Sequence, residues 1–203
     1  PSQGQIKTVP QEYSTIQEAL DASAHGDTIL VDTGIYYENI RFKGKNVLLT
    51  SKYLLDADTT FITRTVIDGS QPAYPDSASC VYFESGETAE AILQGFTLTG
   101  GEGTIISSVG DNPFTFREGG AISIEASSPT IQFNLIRGNY VRSTDNLDRV
   151  AGGGAIRCRY CDATIQNNVI MDNEGFHNGG IAVYWSGGTI RNNIIYQNVQ
   201  IGR

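Results

Sequence analysis

Few of the residues that most often do chemistry alone are present. The 203 residues include two histidines (His25 and His177), one methionine, one tryptophan and three cysteines. Cys158 and Cys161 form a C-x2-C pair with no second such pair, so a four-ligand zinc site would have to recruit both histidines. A local disulfide or two packed, reduced thiols are the other readings, and both leave Cys80 unpaired. Positive charge is also scarce: 14 Lys and Arg stand against 22 Asp and Glu, for a net charge of −8. That balance excludes nucleic acid and anionic lipid as partners, since both require basic patches. It also repels a polyanionic glycan such as pectate or alginate unless a bound cation bridges the two. No apolar run is long enough to span a bilayer, which takes about 18 residues or more. No basic segment with an apolar stretch precedes Pro1, and the expectation is a signal peptide already removed.

What the chain has in quantity is glycine, 23 in all, with frequent Asn, Thr and Ser. These are turn residues, and many short strands with tight corners would use them. The pattern that organises them is a repeat. Residues 130–139 read TIQFNLIRGN, 164–173 read TIQNNVIMDN and 189–198 read TIRNNIIYQN. The match extends upstream through GGAISIEASSP, GGAIRCRYCDA and GGIAVYWSGG, and a looser copy, AEAILQGFTLTGG, occupies 89–101 with Gly95 read opposite the Asn. Ile165 and Ile190 lie 25 residues apart, Ile131 and Ile165 34 apart. A short period that accepts insertions is the mark of a solenoid. Alternating apolar and polar residues, β-branched side chains and GG turns make the coil β, and the L-x-x-L-x-L pattern of leucine-rich repeats is absent.

The fold class expected is therefore all-β: a right-handed parallel β-helix, with the hand taken from the crossover rule. One domain covers 1–203, with a cap over 1–27, stacked coils over 28–203 and no cap after the last repeat. Stacking at about 4.8 Å puts equivalent residues above one another. Asn134, Asn168 and Asn193 form one column and Asn139, Asn173 and Asn198 another, their amides bonding coil to coil and tolerating left-handed corners. Ile131/Ile165/Ile190 and Leu135/Val169/Ile194 are read as interior columns. Before the repeats, Ser14 or Thr15 caps a helix of about 15–24, Gln17 or Glu18 completes a capping box, and Gly26 ends it. This helix is the lid of the first coil. KYLLDADTT, 52–60, reads as a loop whose Asp56 and Asp58 are calcium candidates or plain surface acids.

TIQEALDASAHGDTILVDTGIYYENI resembles the opening of the pectin-lyase-like superfamily of right-handed β-helices. GFTLTGG followed by GGAI and PTIQFNLIRGN is similar to NosD-like and other secreted bacterial β-helix repeat proteins. The resemblance implies secretion or display at a bacterial cell surface. It does not select an activity, because the superfamily holds lyases, hydrolases, esterases and adhesins. The Gln-Asp pair and Asp-Phe-Ile-Phe-Gly segment of pectin methylesterases are missing, as are the Asp-Asp and Gly-His-Gly of polygalacturonases.

Length variation falls at one corner, in the insertions 101–118, 140–152 and 174–178, which stacking brings to one flank. On strict alternation the strands that follow expose Ser123 and Glu125, then Arg157 and Arg159, then Ala182 and either Tyr184 or Trp185. Arg157 and Arg159 beside Glu125 are the candidate catalytic group for β-elimination from a uronate polymer, with Asp145 and Asp148 as candidate calcium ligands. The bland alternative is an ordinary ion pair between Arg159 and Glu125. Tyr140, Arg149, His177, Tyr184 and Trp185 are candidate binders of extracellular polysaccharide. The competing function class is a structural module, adhesin-like or self-associating through its last coil.

Overall fold

Strands of two to five residues climb the molecule in parallel, because each coil must turn a corner before its next strand can pair. A computed structural model of the chain describes residues 4–107, 115–141 and 152–201. Three large parallel sheets form the faces of a parallel β-helix, and a fourth, of Tyr140–Val141, Glu174–Gly175 and Val199–Gln200, lines a corner. The first has seven strands, from Ile6–Val9 to Thr189–Arg191; the second has six, from Gly34–Tyr37 to Ile194–Tyr196; the third has five, from Ile40–Arg41 to Ile181–Tyr184. The repeat read from sequence sets the register: Ile131 pairs with Ile165 and Ile165 with Ile190, and Ile122 pairs with Ile156 and Ile156 with Ile181.

Helix α1, Ile16–Asp21, closes the first coil with Ile16, Ala19 and Leu20 wholly buried. Thr15 is the N-cap and Glu18 returns the bond, a complete capping box. The helix is shorter than the pattern suggested. It ends with Ala22 as cap, and Gly26 bends the chain only later, at φ +84°. Segment 52–60 is not a plain loop: α2 (Tyr53–Asp56) and α3 (Thr60–Arg64) fill it and its end. Asp58, just before the Thr59 N-cap of α3, accepts the Thr60 N–H and hydroxyl, which holds its carboxyl below the usual range.

Both asparagine columns exist, and they are directional. Asn134 donates its backbone N–H and its side-chain amide to Asn168 Oδ1, and Asn168 does the same to Asn193. Asn139, Asn173 and Asn198 repeat the arrangement. Each amide also donates backward to a strand carbonyl of the preceding coil, as Asn168 does to Ile131. The ladder asparagines are not the left-handed corners. The residues before them are: Phe133, Asn167 and Asn192, with φ of 53°, 56° and 54°, and Gly95 at 82°. Register therefore aligns Gly95 with Phe133 and Phe96 with Asn134, so the earliest copy accommodates the corner but lacks the amide. Because the asparagines point inward, Leu135 and its equivalents turn outward. The second interior column is Ile136 and Ile170, fully buried, rather than Leu135 and Val169.

Gly120 and Gly154 explain the repeated GG. A Cβ on Gly120 would lie 2.0 Å from the Gly154 carbonyl oxygen, so stacked coils touch backbone to backbone there.

Candidate functional site

The third sheet carries the predicted flank. Glu125 pairs with Arg159 and Arg159 with Tyr184, while Ser123, Arg157 and Ala182 share the neighbouring row. The last register is thereby settled on Tyr184, and Trp185 is the corner residue that follows it. The described parts of 101–118 are more than a loop. Gly103–Ser107 and Thr115–Glu118 pair antiparallel and join Ser77–Ala78, so a small sheet roofs part of this face. Arg117 fastens the roof by donating to the Pro75 and Gly103 carbonyls.

Under that roof Arg157 is fully buried. Its Nε donates to Glu118 Oε2 at 2.5 Å, and its Nη2 lies 2.6 Å from Glu125 Oε2 without hydrogen-bond alignment. Nη1 finds no acceptor among the described residues. The ordinary pairing expected between Arg159 and Glu125 is thus taken over by Arg157. Burial pushes the Glu118 carboxyl above its usual range even though Arg157 pulls the other way. Burial, reinforced by Glu118, pushes the Tyr184 hydroxyl up to about 12. A fully buried guanidinium held by the buried Glu118 and the partly exposed Glu125 is a structural arrangement, since removing Glu118 would strand a buried charge.

Arg159 instead faces outward. Its guanidinium sits 4.8 Å from the Tyr160 ring centroid, 5.5 Å from Trp185 and 5.9 Å from Phe116. Tyr160 and Trp185 stack on successive coils at 5.7 Å and are 52% and 74% exposed. Both are left-handed corners, with φ of 51° and 47°. Cys158 and Cys161 are joined by a disulfide across the Tyr160 corner, so the zinc and free-thiol readings do not hold. His25, once a possible zinc ligand, accepts the Asn46 N–H. Among the described residues no group of three His, Cys, Asp or Glu is placed to hold a metal.

The remaining candidates scatter. Tyr140 donates its hydroxyl to Glu102, one corner away on the flank. His177 packs edge-on to Phe176 and lines a hollow at the last coil. Arg149, Asp145 and Asp148 lie outside the described residues. The sequence reading missed Tyr160, Phe116 and the role of Glu118. Stacking Tyr160 above Trp185 was available from the repeat alignment, which puts both at the residue after the strand. Compared with protein-family models, curated proteins and solved structures, the chain matches none.

Proposed function

We propose that this chain is a secreted or cell-surface β-helix of the pectin-lyase-like type that binds an acidic extracellular polysaccharide on its third face, without cleaving it. The observation that carries the reading is the exposed Tyr160 and Trp185 stack with Arg159 against it. Aromatic faces hold the apolar side of sugar rings, and a guanidinium offers paired donors to a carboxylate or sulfate. Binding is favoured over turnover because Arg157 and Glu118 are 0% and 6% exposed and engage each other. The net charge of −8 predicts weak binding that calcium strengthens by screening or bridging. Retention on immobilised pectate or alginate, with unchanged polymer length after incubation, tests both halves; chain shortening by the purified protein would refute the non-catalytic half.

A further inference from the structure

Exposed aromatics recur at a second place, remote from Trp185. Tyr37 and Tyr74, 52% and 74% exposed, both line a hollow of about 410 Å³ beside the first strand of the third face. That volume falls within the roughly 300–1,000 Å³ of small-molecule sites. Part of its wall is a hydrogen-bonded polar network. Glu38 accepts the N–H groups of Ile16 and Gln17, each at 2.9 Å, one on each carboxylate oxygen. Gln17 is fixed in turn by bonds to Arg41 and Asp21.

We infer that this hollow binds one or two sugar units of a neutral oligosaccharide, on Tyr37 and Tyr74, with Glu38 and Gln17 receiving hydroxyl groups. The two tyrosines come from segments 37 residues apart, yet they are presented to the same hollow. Each Glu38 oxygen has used one of its lone-pair positions on the backbone, and a carboxylate offers about four. Adjacent hydroxyls of a sugar ring are donors suited to that remaining capacity. The charge pattern selects against an anionic sugar. Both cations at the hollow are already engaged, Arg41 with Glu84 and Ser77, and Lys43 with Asp21 at 2.7 Å. Glu38 adds a negative wall, so a carboxylate or sulfate would meet repulsion with no free cation among the described residues there to offset it. This inference does not depend on the acidic-glycan reading of the Arg159 flank.

Isothermal titration of the whole chain with cellopentaose, xylopentaose and mannopentaose tests it, with Trp185 emission recorded in parallel. Trp185 is the only tryptophan, so its emission reports the other flank alone. Saturable binding of at least one probe is expected, weakened about five- to tenfold by Tyr37→Ala and by Tyr74→Ala, because one aromatic contact contributes about 1 kcal/mol. Trp185 emission should stay constant, and Trp185→Ala should leave the affinity unchanged. Both tyrosines are exposed, so circular dichroism of the variants should match the parent. The inference is overturned if none of the three probes binds, if binding ignores both tyrosine substitutions, or if it disappears with Trp185→Ala.

Discussion

Asn168 makes bonds in both directions along the solenoid. Its Oδ1 accepts two bonds from Asn134, and its amide donates to Ile131 and to Asn193. Asn168→Ala would leave the buried Asn134 N–H without its side-chain acceptor and the Ile131 carbonyl without its amide donor, and such groups cost about 1–3 kcal/mol each. We expect a loss of about 3 kcal/mol in urea unfolding of Asn168→Ala. Arg157 belongs to the same class of buried polar residue. Arg157→Met should cost about 3–5 kcal/mol, because Glu118 would remain buried and unpaired. Adding Glu118→Gln should restore more than half of that loss if the cost is electrostatic. At this scale the sequence was informative where residues repeat unchanged. The asparagine columns were visible as letters. Their inward direction was not, because the left-handed corner residues (Gly95, Phe133, Asn167 and Asn192) share a conformation without sharing an identity.

Among elements, the cap is the one whose local chemistry is explicit. Thr15 and Glu18 write the start of α1, and Asp27 ties that helix to the first strand by accepting the Ala24 and Gln5 N–H groups. Those bonds, Ala24 foremost, hold the Asp27 carboxyl below its usual 3.8. A lowered carboxyl contributes stability above its unfolded-state value and loses it as pH falls through the folded-state value. Asp27→Asn should therefore destabilise the chain by about 1–3 kcal/mol at neutral pH. The gap should close as melts are repeated below pH 3.8. A constant gap across that range would contradict the assignment. Gly120→Ala is expected to be more disruptive than Gly34→Ala, since a Cβ on Gly120 would meet the Gly154 carbonyl oxygen at 2.0 Å while one on Gly34 would meet only the Tyr36 ring at 3.4 Å. The roofing strands were not legible as strands. Their partners, Ser77–Ala78 and each other, are set by contacts across coils rather than by the repeat.

For the whole molecule, repetition turns sequence position into a surface address. Tyr160 and Trp185 are adjacent because each follows the same strand in successive coils, and Arg159 reaches both. Arg157 and Glu125, read as exposed by alternation, are withdrawn from solvent or half-covered because a remote segment folds over them. Alternation gives the side of the sheet on which a residue lies and carries no information about a roof. The claim that matters most is that the aromatic–arginine flank binds an acidic glycan. Trp185 emission, titrated with pectate and with alginate in the presence of calcium, tests it directly. A saturable change that is lost in Arg159→Ala, while Tyr37→Ala and Tyr74→Ala respond as the parent does, is the predicted result; an unresponsive Trp185, or a response indifferent to Arg159, would contradict it.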